Sequence, residues 1–397
     1  MIRKNTIKLL TCCVLFMVIL LKTSLLFCAR LPETVVRIAI LKNVSSVNIG
    51  CEGDYYYCNL ETGNQTPLNN QDIYLIKPFT KGIIIGKNEV FSGEVRFLSK
   101  SDAHFIRVNG RRYHDSISIK LMADGKLTVI NELGLESYLC GILTREVDPG
   151  WPEEALKAQA VVSRTFALKN IDRHKKEGFS LCNEVHCQVY GGLEGEDERT
   201  NRAISKTRGE VLVYNKILVN TVFHSCCAGY TEDPKYVWEG GNTTPVYLKG
   251  VRCAFCSKCK QYYWSKSVAE SIIRKKLNNK GYPAIAKITG IYFKGKTKTG
   301  RLKDLRLEYQ KKDGKFSEIT IRAAKFRLIV DPSVIKSTKI SSIKKTKADS
   351  YLFTGYGWGH GVGMCQWGAE GMAEKKYKYK EILKHYYPYT EIETWEE

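Results

Sequence analysis

The chain has 397 residues, 43% hydrophobic and 11% aromatic, enough for one large core or two to three smaller domains and long enough that no disulfide or metal is needed merely to fold. Lys and Arg number 62 against 41 Asp and Glu, a formal net charge of +21 that draws the protein to anionic surfaces such as a cell wall or lipid headgroups. Nucleic acid is the partner this charge does not indicate: there is no zinc-finger spacing, RNP-like run or basic zipper, and the lysines are dispersed, as in "SVIKSTKISSIKKTKADS".

At the N-terminus, "MIRKNTIKLLTCCVLFMVILLKTSLLFCAR" has a basic start and an apolar run from Leu9 to Leu21, broken by Lys22. Residues 1–30 read as an export signal or a membrane anchor, so the N-terminal segment makes the membrane a partner. Phe27 before Cys28 argues against lipoprotein processing, which follows a small residue. From Val35 to about Ile130, short alternating runs such as "VVRIAIL", "EVRFLS", "SISIKL" and "KLTVI" predict strands, with a hairpin turn at "ADGK". The period then changes. Leu135, Leu139 and Leu143 predict a helix that ends at Asp148-Pro149-Gly150, and a second helix starts at Pro152 with Glu153 and Glu154 at its positive end.

Beyond Gly178 come a Cys/His cluster, the helix-like "EDERTNRAISKTRGEVLVYNKILVNTVFHSCCAG" and a cysteine-rich stretch from Cys226 to Cys259. A helix is expected over Ser265–Asn279, then strands at "IAKITGIYF", "LKDLRLEYQ" and "SEITIRAAKFRLIV". The low-complexity "IKSTKISSIKKTKADS" reads as a linker before a Gly-rich end. The fold class is mixed α/β (α+β): a strand-rich N-terminal part, a helical catalytic core and a peripheral β-rich lobe.

Several residues carry chemistry. Glu146 stands where one helix ends and the next begins; a carboxylate there is commonly a solvated or capping group. The functional reading is a general acid whose pKa is raised by an apolar cleft, for which Leu143, Val147 and Trp151 are the neighbours at hand. Glycines at 355, 357, 359, 361 and 363 alternate with Tyr356, Trp358, His360 and Val362, a pattern that lets a backbone approach something closely. It is neither a Walker A loop nor a dinucleotide fingerprint, and no organic cofactor is implied. Trp358 and Trp367 are either sugar platforms or buried structure, and His360 is either a ligand to substrate or a satisfied structural histidine. Of 14 cysteines, Cys12, Cys13 and Cys28 belong to the leader. Cys51 and Cys58 are spaced for a disulfide; Cys182, His186 and Cys187 suit zinc, with a disulfide as the alternative. Cys226, Cys227, Cys253, Cys256 and Cys259 form either a second thiol cluster on a metal or disulfides.

Together, "LESYLCGILTREVDPGWPEEALKAQAVVSRTFAL", "CNEVHCQVYGG", "TVFHSCCAGYTED" and "GYGWGHGVGMCQWGAEGMA" resemble the stage II sporulation protein D, or SpoIID/LytB domain, family over about residues 35–389. The resemblance implies a strand-rich part at 35–130, a catalytic core at 131–264, a peripheral lobe at 265–348 and a Gly-rich segment at 349–389 that completes the core. It implies a peptidoglycan lytic transglycosylase with Glu146 as its acid, acting on peptide-stripped glycan strands beside a cell-wall amidase during sporulation. The alternatives are a non-catalytic amidase enhancer and a hydrolytic muramidase, which needs a second carboxylate to activate water. Tyr190, Ser225, Trp358, His360 and Gln366 are the implied substrate-binding residues. The family's zinc-bearing members have a Cys/His cluster, matched here by Cys182, His186 and Cys187, with His174 as a fourth ligand. Its "HSTSGG" block reads His224-Ser225-Cys226-Cys227-Ala228-Gly229 here, and Cys365 stands where the family has Ser. The implied location is extracytoplasmic, at the cell wall.

Overall fold

Period-two alternation in the first third of the chain turns one face of each strand inward. The computed structural model describes residues 34–69, 72–90, 92–99, 105–184, 186–238 and 244–395; the expected leader and its three cysteines lie outside the described residues. A seven-stranded sheet runs in the spatial order 181–182, 35–44, 127–134, 116–121, 94–99, 55–59 and 65–68, and a six-stranded sheet in the order 111–113, 105–108, 47–52, 73–79, 82–85 and 88–90. Both sheets feed one core that includes Ile38, Ile49, Phe97, Ile106, Ile119 and Val129. The "ADGK" turn forms: Met122 N–H donates to the Lys126 carbonyl at 2.8 Å, and the strands on either side pair from Leu121↔Leu127. The two-residue strand Leu181–Cys182 joins the sheet edge in parallel with Ile38 and Ala39, which places Cys182 against the sheet.

Two helices follow and hold the site. Helix α1, Leu135–Glu146, buries Leu135, Tyr138, Leu139, Ile142 and Leu143, as its leucine spacing requires. Helix α2, Glu153–Lys169, begins after Pro152 and is buried from Val161 to Leu168 on every side. Its small residues permit this, and Arg164 inside it is paired: Nε and Nη2 each donate to a Glu136 carboxylate oxygen at 2.7 Å, clamping α1 to α2.

Several expected elements divide differently. The helix-like stretch after Gly195 gives only helix α3, Glu198–Lys206; beyond Gly209 the branched residues of Glu210–Tyr214 form a strand that pairs with Glu391–Thr394. The segment expected as a helix over Ser265–Asn279 is a strand, Tyr263–Ala269, followed by helix α4, Glu270–Asn278. Trp264 and Val268 point inward on that strand, which pairs along its length with Ser350–Tyr356. "SEITIRAAKFRLIV" likewise splits into the strand Phe316–Arg322 and helix α5, Ala323–Val330, and the expected linker contributes the strand Ile340–Lys345. Those strands and helices enclose a separate lobe core around Ile288, Leu305, Phe326 and Phe353. Helices α6, Gln366–Glu374, and α7, Tyr379–Tyr386, return the chain to α2. Cys51 and Cys58 are free and lie in different sheets, so the expected disulfide is absent. Among the described residues no helix is long and apolar enough to cross a membrane.

Candidate active site

Glu146 is the last residue of α1. The Asp148 side chain accepts from Gly150 N–H at 2.8 Å and its carbonyl accepts from Trp151 N–H at 3.0 Å, so a tight turn separates the acid from α2. The carboxylate therefore sits at the negative end of the α1 dipole, an unfavourable place for charge. Gln366 Nε2 donates to the Glu146 backbone carbonyl at 3.1 Å and lies 3.4 Å from Gln159 Oε1 in the middle of α2. Burial pushes the Glu146 pKa up to about 7, against the opposing effect of a hydrogen bond from Val189 N–H.

The acid opens on two adjoining hollows of about 740 and 930 Å³, which share Arg145, Glu146, Phe223, Trp238 and His360. Among the described residues lining the first, Glu146 is the only carboxylate. The second adds Glu177, whose Oε1 lies 2.5 Å from His174 Nδ1. Ser225, Trp358 and Gln366 line the first hollow, and the Trp358 ring carries the Lys336 ammonium 4.1 Å from its centroid. His224 lines it too. Its Nδ1 is 3.1 Å from the Val362 carbonyl, while its buried Nε2 has no hydrogen-bond partner among the described residues. Desolvation holds the imidazole well below its usual pKa, leaving a neutral ring with Nε2 as a vacant acceptor.

The two blocks that carry these histidines are laced together. Phe223 and His224 pair in parallel with Met364 and Cys365, and Cys226 and Trp358 exchange backbone hydrogen bonds of 2.9 Å. Gly359 has φ +111°, and a Cβ there would lie 2.7 Å from the His224 Cβ, so glycine is required for the close approach. His360 Nδ1 accepts from Val362 N–H at 3.1 Å and the ring also bonds the Phe223 backbone. Burial, with Arg327 and Arg301 nearby, lowers its pKa to about 4. Its two nitrogens are thus engaged with the backbone, and it shapes the wall as a neutral ring.

Beside the second hollow, His174, Cys182, His186 and Cys187 offer donor atoms all within 4.8 Å of one another. Cys187 Sγ is 3.6 Å from both His174 Nε2 and His186 Nδ1, and Cys182 Sγ is 3.8 Å from His186 Nδ1. A tetrahedral zinc with bonds of about 2.0–2.3 Å separates its ligands by about 3.5–3.8 Å, so this donor set fits one. The Glu177 contact on His174 Nδ1 aims Nε2 at the group.

The stage II sporulation protein (SpoIID) model matches residues 123–214, which contain α1, α2 and the Cys/His group. The chain belongs to the SpoIID family. It is 31% identical over 358 residues to an uncharacterized protein of Brachyspira hyodysenteriae, covering 89% of this chain and 92% of that one. The amidase enhancer of Bacillus subtilis is 29% identical over 290 residues, 64% of this chain but 40% of its own length. Stage II sporulation protein D of the same organism is 28% identical over 289 residues, 66% of this chain and 75% of its own. A domain of unknown function (DUF8618) matches residues 254–363, the span of the lobe.

In this SpoIID family member some expected residues lie elsewhere. Tyr190 does not line either hollow: it is buried against Gly141, and its hydroxyl donates to Asn131 Oδ1 at 2.7 Å, so the expected substrate-binding role is not one its position allows. Trp367 packs edge-on against Trp151, ring centroids 5.3 Å apart, away from the hollow. Leu143 and Val147 face the strand-rich core, and the apolar surround of Glu146 comes from Phe223 and Trp238 instead. Cys227, Cys253 and Cys256 converge with Cys365, which the sequence presents only as a substituted serine. Two further wall residues were missed: His224, signalled only by its place before Ser225, and Arg145, which has no ion-pair partner among the described residues and lines both hollows.

Proposed function

We propose that this protein is a lytic transglycosylase that cuts the MurNAc–GlcNAc bond of peptide-stripped peptidoglycan. The observation that carries the reading is Glu146: the one carboxylate among the described residues of the first, apolar-walled hollow, with a pKa raised to about 7. Such a group can give and take a proton at neutral pH. Glu146 protonates the departing GlcNAc O4 as the bond from muramyl C1 breaks. The carboxylate then accepts the proton of the muramyl C6 hydroxyl as C6–O closes on C1, so the products are a GlcNAc 4-hydroxyl and a 1,6-anhydromuramyl end. No water is consumed, and no second carboxylate is needed. Trp358 offers a ring face to the glycan.

The site works at the cell wall, in keeping with the sporulation and amidase-enhancer relatives, and a cell-wall amidase prepares its substrate. Zinc on His174, Cys182, His186 and Cys187 has a structural part: it fastens the loop whose Val189 N–H meets Glu146. The similarity to an amidase enhancer favours a second reading, in which the cleft binds glycan and stimulates an amidase without cutting.

Purified protein and its Glu146→Gln variant, given glycan strands already stripped by an amidase, separate these readings. The transglycosylase yields anhydromuramyl ends, and E146Q loses about 10²- to 10⁴-fold in rate. Products carrying added water point to a hydrolase. Intact glycan with both proteins, together with faster release of stem peptides by an amidase from unstripped peptidoglycan when either protein is added, makes the chain an enhancer.

A further inference from the structure

Behind the His224 wall, four cysteines from three distant parts of the sequence meet in the interior: Cys227, Cys253, Cys256 and Cys365, all buried, with every Sγ within 4.8 Å of the others. We propose that these four thiolates form a second metal centre, a tetrathiolate zinc site separate from the Cys/His group. The Sγ atoms of Cys227 and Cys256 are 3.7 Å apart. A tetrahedral zinc with Zn–S bonds of about 2.3 Å requires thiolate separations of about 3.8 Å, whereas a disulfide holds its sulfurs at about 2.05 Å. All four cysteines are free. A cubane iron–sulfur cluster, with irons and sulfides of its own to enclose, would hold its thiolates farther apart than a single ion does.

The surroundings suit an anion. Zinc binding would release four protons and leave Zn(SR)₄ with a net charge of −2. Backbone N–H of Cys227 lies 3.3 Å from Cys365 Sγ, and the Tyr386 hydroxyl lies 3.1 Å from Cys253 Sγ, both able to donate to thiolates. Arg301 is 1% exposed, and its Nε and Nη1 have no hydrogen-bond partner among the described residues; only Nη2 is used, donating to the Cys227 carbonyl at 3.2 Å. A buried guanidinium left so is costly unless an anion faces it. The carboxylate of Glu232 is one candidate, but it already accepts from the hydroxyls of Thr297 and Thr299 at 2.6 Å and from Asp233 N–H at 2.8 Å. The thiolate cluster is the other negative group it faces. Lys339, whose Nζ donates to the Ala228 carbonyl at 2.6 Å, brings a second positive charge to the same place.

The site ties together three segments that are far apart in the sequence. Cys227 follows His224 and Ser225, Cys253 and Cys256 begin the lobe, and Cys365 immediately precedes Gln366, which holds the Glu146 backbone. An ion there would brace the wall that carries His224 and Ser225. Cys226 and Cys259 lie alongside as an unligated thiol pair.

Full-length protein purified from zinc-supplemented cells without chelator tests this. Elemental analysis and native mass spectrometry should show one zinc fewer per chain in Cys253→Ser/Cys365→Ser than in wild type, while Cys182→Ser/Cys187→Ser leaves that second ion in place. An unchanged zinc count in the first variant overturns the proposal, as does iron with inorganic sulfide, or any of the four cysteines in a disulfide on peptide mapping of the unreduced protein. Should the first variant fail to fold, cadmium-113 NMR of the metal-exchanged wild type decides: a resonance in the tetrathiolate range is expected, and its absence refutes the site.

Discussion

Glu146 combines two effects that only the folded chain supplies. The hollow strips water from the carboxyl and moves its pKa from 4.5 to about 7, and the end of α1 is itself an unfavourable place for a negative charge. In the proposed reaction the protonated form acts first, so kcat/KM should be level below pH 7 and fall about tenfold per pH unit above it. Stability follows the same sign. A folded-state pKa above the unfolded one means that stability is fully present below about pH 4.5 and is lost as pH rises to about 7, by at most about 3 kcal/mol. Thermal unfolding of wild type against E146Q across pH 4–8 should show the variant lacking this slope; parallel curves would place the carboxyl in water. The acid itself was legible from the turn that follows it and from the resemblance. The fate of Tyr190 and His360 was not, because a tyrosine packed on Gly141 and a histidine bonded to its own backbone use the same letters as ligands to a substrate.

At the scale of elements, the glycine alternation before Cys365 was legible as a demand for close approach, but its partner was not, since Phe223–Cys227 lies more than 130 residues earlier. Gly359→Ala should cost about 2–4 kcal/mol, because a Cβ would press on His224 in a left-handed conformation. Gly125→Ala, also at positive φ but with nothing within 4 Å, should cost about 1–2 kcal/mol. Denaturant unfolding of the two variants checks the difference, and equal losses would mean that the lacing of the two blocks contributes little. Helices α1 and α2 were readable because spacing and caps agree with packing. The strands Tyr263–Ala269 and Ile340–Lys345 were misread because their pairing with Ser350–Tyr356, which no local pattern records, overrides local preference. The Cys/His group lies between these extremes: its spacing was visible, its outer partner was not. Glu177→Gln should weaken zinc affinity about 10- to 100-fold by freeing His174. Competition with a chromophoric chelator measures this, and unaltered affinity would exclude His174 as an oriented ligand.

For the whole molecule, the net charge of +21 and the proposed substrate belong to one argument. An amidase that removes the stem peptide hydrolyses the lactyl amide and leaves a carboxylate on each stripped muramic acid, so a denuded strand is a polyanion while an unstripped one keeps that position as an amide. Among the described residues lining it, the first hollow presents Arg145 and Arg327 and one acid, Glu146, which burial keeps partly protonated at neutral pH. Arg327 is held by the Lys336 carbonyl at 3.1 Å, whereas Arg145 has no ion-pair partner among the described residues and is free to meet a carboxylate. Attraction of this kind is long-ranged at low salt, where the Debye length is about 30 Å at 0.01 M, and short-ranged at 0.1 M, where it is about 10 Å. KM for stripped glycan should therefore rise with ionic strength while kcat changes little, and KM for unstripped strands should respond less. Arg145→Gln should raise KM for stripped strands about 3- to 10-fold, in line with about 1 kcal/mol for one partly exposed ion pair, and should flatten the salt dependence. The measurement is steady-state kinetics on the two substrates between 0.01 and about 0.2 M salt. If stripped and unstripped strands respond alike, or R145Q keeps the wild-type slope, the preference for stripped glycan does not come from charge, and the neutral walls formed by Trp358, Trp238 and His224 must supply it.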